Sequence, residues 1–260
     1  LIDRFEIEVL PSHKPTSAKR ERMALKSLTR LLGGLPVADV NSTQAWVYRS
    51  QRFAEKMAPA TVHFELRLLS RVVRHAMMAW GLILANPVVR GTLPKLTAKH
   101  ERWLTADELG RVVGAAPPYV ARVLTFAVET GLRINEVCHL SWHQVDLKRG
   151  ELKIGEQKNG KLSVLPLSSL ALETVQIAWQ TAAAPRLAEG PIFLNGWQSW
   201  TESALRAAFY TAVRKAGVPA CRFHDLRHTF ATRLVQAGVD LYTVQRLGRW
   251  SSYDLVQRYG

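Results

Sequence analysis

RFHDLRHTFATRLVQAGVDLYTVQRLGRWSSYDLVQRYG, residues 222–260, combines a helical pattern with an uncommon set of polar side chains. Leu226, Phe230 and Leu234 recur every fourth residue, the spacing that lines one helix face, and Gly238 stands where that helix ends. A second short helix over Leu241–Leu247 stops at Gly248, and a third begins before the last residues. His224 and Arg227 lie three apart, so from a helix start they project to one side. Trp250 follows Gly248 after one residue, and Tyr259 comes nine residues later. An imidazole, a guanidinium, an indole N–H and a phenol brought together suit an anion. Arginine grips phosphate oxygens in pairs, histidine moves protons near neutral pH, and a tyrosine oxygen can attack phosphorus. Taken alone, the segment equally describes a helical subdomain with an exposed arginine, a capping histidine and a packed tryptophan.

The preceding residues, 101–223, alternate helix and strand signals. Thr105-Ala-Asp-Glu108 is a capping box opening a helix, and Pro117-Pro118 separates it from the next, about Tyr119–Thr130, which ends at Gly131. TGLRINEVCHLSW, residues 130–142, puts Arg133 and Glu136 one turn apart, with Leu132, Val137 and Leu140 as core anchors. From Val145 to Pro166 the period changes to two: Glu151–Ile154 and Leu162–Leu165 alternate as strands around a turn that carries Lys158 at its tip. A lysine in a turn is ordinarily solvent-exposed decoration. Ser168–Thr181 and Thr201–Ala216 return to helix, with Pro191-Ile-Phe-Leu as a short extended piece. His139 and His143, four apart beside Cys138, lack the paired ligands that a metal site needs, so no metal is expected. The chain has no glycine-rich nucleotide loop ending in Lys-Ser/Thr either.

Residues 1–98 form a helical bundle. One helix starts at Pro15-Thr-Ser and runs to Gly33-Gly34, with Leu25, Leu28 and Leu32 on one side and Lys19, Arg22, Lys26 and Arg30 on the other. A second runs from Ser42 to about Met57. A third, Ala60–Trp80, buries Val62, Leu66, Leu69, Val73, Ala76 and Trp80 and lines its other face with His63, Arg67, Arg71 and Arg74. Fifteen Lys and Arg stand against seven Asp and Glu through residue 98, a net +8. Basic rows on helices are ordinarily solvated faces; this local excess favours contact with a DNA backbone. From Asn86-Pro87 to His100 the periodicity lapses, as in an interdomain linker, so the expected domains are residues 1–98 and 101–260.

The whole chain agrees with such a partner. Its formal charge of +14 and pI near 10.2 point to a polyanion, nucleic acid before membrane. At 260 residues and 47% hydrophobic it can bury two cores. No apolar run reaches the length of a membrane span, the first residues lack a signal-peptide pattern, and the two cysteines, Cys138 and Cys221, suit a reducing cytoplasm. The expected fold class is mainly α with a small antiparallel β-sheet (α+β).

Arg133 in TGLRINEVCHL, Lys158 between two strands, His224-x-x-Arg227 in FHDLRHTFAT, Trp250 after LGR and Tyr259 in VQRYG stand in one fixed order. This arrangement closely resembles the tyrosine recombinase, or phage integrase, family of site-specific DNA recombinases, over about residues 105–260. The preceding bundle is similar to the family's core-binding domain, and Lys19, Arg22, Lys26, Arg30, Arg67, Arg71 and Arg74, from its basic rows, are the expected DNA contacts. The resemblance implies that Tyr259 is the nucleophile, forming a 3′-phosphotyrosyl bond and freeing a 5′-hydroxyl. Arg133 and Arg227 would clamp the scissile phosphate, Lys158 would protonate the leaving 5′ oxygen, and His224 would assist proton transfer at the tyrosine. Trp250 occupies a position more often held by histidine; its indole can donate a hydrogen bond but cannot accept a proton. Glu136 matches the acidic residue that supports the first arginine.

That chemistry is coherent on physical grounds. Attack on a phosphodiester adds charge to the equatorial oxygens, which fixed guanidiniums and N–H donors stabilise as it develops. A phenol with a pKa near ~10 needs help to lose its proton, and nearby cations lower that cost. The phosphotyrosyl bond conserves the energy for religation, so no cofactor is expected. The resemblance further implies duplex DNA as partner, a homotetramer on DNA with a monomer when free, and accessory DNA-bending proteins. Family members usually continue past the tyrosine into a segment that packs on a neighbouring protomer, and phage integrases often carry an N-terminal arm-site domain; neither lies within residues 1–260. Two alternatives are a type IB topoisomerase, which shares the strategy without strand exchange, and a non-catalytic architectural DNA-binding protein. Binding alone would need basic groups but no phenol at residue 259.

Overall fold

The computed structural model describes residues 1–82, 85–96, 102–155, 163–181 and 190–260. The chain divides into two compact units, Leu1–Lys99 and His100–Gly260.

The first unit is helical. Helices α1 (Ile2–Glu8), α2 (Pro15–Leu32), α3 (Ser42–Ala54) and α4 (Pro59–Ala79) surround one apolar core. Proline at the first position starts α2 and α4, where its missing N–H costs nothing, and the Asn41 side chain caps α3 by accepting from the Thr43 and Gln44 N–H groups. Leu25, Leu28, Val62 and Leu66 are fully buried at the spacing seen in the sequence. Each such side chain contributes roughly 1.5–3 kcal/mol of transfer free energy. Helix α3 ends at Ala54 rather than near Met57, because Lys56 turns into the left-handed region at φ 58°. Helix α1 has no counterpart in the sequence periodicity; Phe5 anchors it in the core, edge-on to His75. Residues 86–96, expected as a linker, pack on this unit: Arg49 donates to the Gly91 carbonyl, His63 pairs with the Pro94 carbonyl, and Thr92 and Pro94 are buried.

One polar network lies inside this core. Glu65 accepts from the Tyr48 hydroxyl (2.9 Å) and from Arg52 Nε and Nη2 (2.9 and 2.7 Å). Arg52 also donates to Glu55, whose carboxylate takes two bonds from Arg30.

The second unit mixes helices with two small sheets. Helix α5 (Ala106–Ala115) opens on the capping box, with Thr105 and Glu108 bonding each other's backbone N–H. Helix α6 (Pro118–Thr130) is the central element: Val120, Val123, Leu124, Phe126 and Ala127 are all fully buried. It packs against α5, α7 (Ile134–Cys138), α8 (Ser169–Thr181), α9 (Glu202–Lys215) and α10 (Asp225–Gln236). Strands β1 (Val145–Asp146), β2 (Glu151–Ile154) and β3 (Ser163–Pro166) form an antiparallel sheet in the order β1-β2-β3, with Leu152 opposite Leu165 and Ile154 opposite Ser163. A two-stranded hairpin joins β4 (Leu194–Asn195) to β5 (Gln198–Ser199). Helix α11 (Leu241–Gly248) follows α10, and the expected third C-terminal helix is two short 3-10 turns, Tyr253–Leu255 and Gln257–Tyr259. Their Val256 joins Ala231 and Val244 in a satellite core.

Replacing Glu65 by Ala leaves the buried Arg52 guanidinium and Tyr48 hydroxyl without their shared acceptor. The expected loss is about 3–5 kcal/mol of stability in the first unit. Urea unfolding of the full chain checks it; an unchanged midpoint would mean that the network carries no weight.

Candidate active site

Arg227 stands at the centre of the second unit's polar residues. It lies in the first turn of α10 and is 2% exposed. Its Nη1 donates to the Gly131 carbonyl at 2.6 Å, and its Nη2 donates to the Gly248 carbonyl. The guanidinium lies 4.4 Å from the centre of the Trp250 ring, a cation–π distance. Both glycines are dictated by space. Gly131 caps α6 in the left-handed region at φ 61°, and a Cβ there would lie 2.5 Å from the Phe230 ring. At Gly248 a Cβ would overlap the Trp250 ring. Gly248 is the last residue of α11, and the left-handed cap is the next residue, Arg249, at φ 57°.

Arg133 and Glu136 form the second part. Glu136 Oε2 accepts from the Arg133 backbone N–H (2.7 Å), and Oε1 accepts from Arg133 Nη1 (3.1 Å). Arg249 Nη2 reaches the same Oε2 at 2.8 Å. Burial alone would raise the Glu136 pKa; Arg249, the Arg133 backbone N–H and the Arg133 guanidinium outweigh it and hold the carboxyl below its usual value. Desolvation, then repulsion from Arg133 and Arg249, weakens the hold of Arg227 on its proton, although a guanidinium stays charged at neutral pH. That mutual repulsion puts the three guanidiniums in one electrostatic neighbourhood.

Tyr259 lies against this group. Its ring packs 5.6 Å from Trp250, and its hydroxyl is 2.5 Å from His228 Nδ1. His224, the N-cap of α10, stands edge-on to His228 with ring centres 5.0 Å apart. Desolvation first, then His228 and Arg227, push the His224 pKa down from 6.5 to about 4, so its ring is neutral near pH 7.

The structure thus brings together Arg133, Glu136, His224, Arg227, Trp250 and Tyr259, while Lys158 lies outside the described residues. His228 and Arg249 were not singled out in the sequence. The signal for His228 is its spacing of four from His224, which brings two rings together edge to face. Arg249, the residue after a helix C-terminus, carries no local signal in the sequence; its burial, its left-handed backbone and its bond to Glu136 distinguish it. His139 and His143 bond the Asn135 carbonyl and the Ser141 hydroxyl, and no group of three metal-ligating side chains clusters among the described residues.

In the first unit, Arg67, Arg71 and Arg74 of α4 line a cleft of about 770 Å³ with Arg20 of α2, His63 and Phe64. Arg20 lies over the Phe64 ring at 3.8 Å. Arg71 pairs with the buried Glu21, Arg22 with Glu6 and Arg30 with Glu55. Lys19, Lys26, Arg67 and Arg74 are exposed and form no ion pair among the described residues.

Against known proteins, the model of the phage integrase family matches residues 102–260. The integrase of Salmonella phage P22 is 30% identical over 210 residues, covering 78% of this chain and 54% of that protein. The shufflon-specific DNA recombinase of Escherichia coli is 27% identical over 232 residues, covering 85% of this chain and 58% of that protein. The chain therefore spans a little over half the length of each. A lambda integrase tetramer bound to a Holliday junction has a TM-score of 0.84 at 23% identity, over 99% of this chain and 75% of that one. The Tn1549 transposon integrase in complex with transposon right end DNA has a TM-score of 0.83 at 17% identity, over 99% and 92%. At these identities the likeness to the solved structures is one of fold.

The depressed His224 value has a measurable consequence. Its NMR titration midpoint is expected near 4 in the free protein, against an ordinary 6.5. Because the folded value lies below the unfolded one, the ring's contribution to stability is present above pH 6.5 and is lost as pH falls toward 4. A midpoint at the ordinary value would mean that the ring is solvated and unaffected by its neighbours.

Proposed function

The chain belongs to the phage integrase family, and from that premise we propose that it is a site-specific DNA recombinase that cuts and rejoins duplex DNA through a covalent phosphotyrosine at Tyr259. The observation that supports this most is the convergence of Arg133, Arg227, Trp250 and the Tyr259 phenol in one basic cluster. Arg227 uses two of its five N–H groups on the Gly131 and Gly248 carbonyls, which leaves three for an anion. Arg133, with a side chain 46% exposed, meets the phosphate from the solvent side.

The reaction follows from these positions. The Tyr259 oxygen attacks phosphorus, and its proton passes toward the imidazole that it already faces, His228, with the neutral His224 ring behind. Charge gathers on the non-bridging oxygens between two guanidiniums, where fixed donors stabilise it without reorganisation. The 5′ oxygen leaves as a hydroxyl, protonated by Lys158 as in the family pattern. Reversal of these steps with the 5′-hydroxyl of another strand completes exchange and needs no ATP.

The first unit would hold the duplex through the α4 row, Arg67 and Arg74, with Arg20. The shufflon recombinase and the lambda integrase tetramer on a Holliday junction, similar to this chain, support strand exchange in a tetramer acting on DNA of a phage or mobile element. Accessory DNA-bending proteins belong to the same expectation.

Tyr259→Phe is expected to retain DNA binding and to yield no covalent adduct on a nicked duplex that the wild-type protein traps from a random-sequence library; a persistent adduct would remove Tyr259 as nucleophile. Replacing Arg67 and Arg74 together by Ala should weaken binding and lower the log–log salt slope by about 0.9 per lost phosphate contact. An unchanged slope would move the contact surface elsewhere.

A further inference from the structure

Arg249 is unusual on three counts. It is a non-glycine residue in the left-handed region, at φ 57° and ψ 44°, a conformation that costs an L-residue about 1–2 kcal/mol. Its side chain is 2% exposed. Two of its nitrogens, Nε and Nη1, are buried with no hydrogen-bond partner among the described residues. A buried, under-satisfied cation on a strained backbone is destabilising, and such costs persist where a site needs the group. The bond it does make is to Glu136 Oε2 at 2.8 Å, and Glu136 is the carboxylate that also holds the backbone and side chain of Arg133.

We propose that Arg249 is a positioning residue of the phosphate clamp, holding the Glu136 carboxylate from its buried side so that Arg133 stays aimed at the scissile phosphate. This rests on the recombinase reading above. The carboxylate lies between two guanidiniums, one exposed and one buried. When Arg133 Nη1 gives up Glu136 Oε1 for a phosphate oxygen, Arg249 still compensates the carboxylate, so no naked anion is left to repel the DNA. The charges also match the chemistry. Arg133, Arg227 and Arg249 against Glu136 sum to +2, and attack of a phenolate on a phosphodiester monoanion produces a dianionic phosphorane. The same corner of chain serves both clamp arginines: Gly248 gives its carbonyl to Arg227, Arg249 gives its side chain to Glu136, and Trp250 covers the Arg227 guanidinium.

The test uses Arg249→Gly, Arg249→Lys and Glu136→Gln in the full chain, on the duplex that the wild-type protein traps. Glycine accepts the left-handed backbone, so the variant folds and its unfolding midpoint controls for structure. The positioning role predicts single-turnover cleavage about 10–100-fold slower in Arg249→Gly, with DNA affinity changed by less than about threefold, as for a group that acts in the transition state. Arg249→Lys should recover part of the rate. Arg249→Gly combined with Glu136→Gln should be no slower than the worse single variant, because both act through one carboxylate. A wild-type cleavage rate in folded Arg249→Gly would overturn the proposal, as would fully additive losses in the double variant. If the wild-type protein itself traps no duplex, the recombinase reading fails first and takes this role with it.

Discussion

A buried guanidinium held by two neutral carbonyls is the constraint on which this site depends. Arg227 reaches from α10 to the last turn of α6 at Gly131 and to the end of α11 at Gly248. The two carbonyls take two of its N–H groups without neutralising its charge. A salt-bridged arginine would have its charge cancelled; this one keeps a positive potential inside a low-dielectric wall, where an anion feels it strongly. The energetic cost of that arrangement is offset by the apolar packing around it, above all the fully buried face of α6.

Two glycines and two aromatic rings make that geometry possible. Phe230 lies where a Gly131 side chain would be, and Trp250 lies where a Gly248 side chain would be. With no side chain, each glycine lets its helix end lie close against a ring, and Trp250 extends the cluster to Tyr259. Because Arg227 is almost fully covered in this state, a phosphate that reaches it must displace part of that cover. The short 3-10 turns that carry Tyr259 join the rest of the unit through the small Val256 core, which is less to break than a full helix would be.

Much of this was legible in local sequence. The proline at Pro15 and the capping box at Thr105 mark helix starts because they depend on neighbouring residues alone, and Pro117-Pro118 marks the break before α6 in the same way. The alternation of 151–154 and 162–165 gave the β2-β3 pair for the same reason. What escaped depended on distant residues. Helix α1 has only seven residues, too few for a period to register, and it is held through Phe5. Residues 86–96 are fixed by Arg49 and His63, side chains that local composition does not connect to them. Arg249 becomes informative only through Glu136, 113 positions away. His224, Arg227 and Tyr259 were visible as reactive types in order, yet the ring that meets the phenol, His228, is set by the fold of the last turns.

The most direct measurement is a structure of the full chain, with Tyr259 replaced by Phe, bound to a duplex that the wild-type protein traps. One scissile phosphate should accept bonds from both Arg133 and Arg227, at nitrogen–oxygen distances of about 2.7–2.9 Å, while Arg227 keeps its bonds to Gly131 and Gly248. A phosphate lodged elsewhere, with Arg227 still covered by Trp250, would contradict the account.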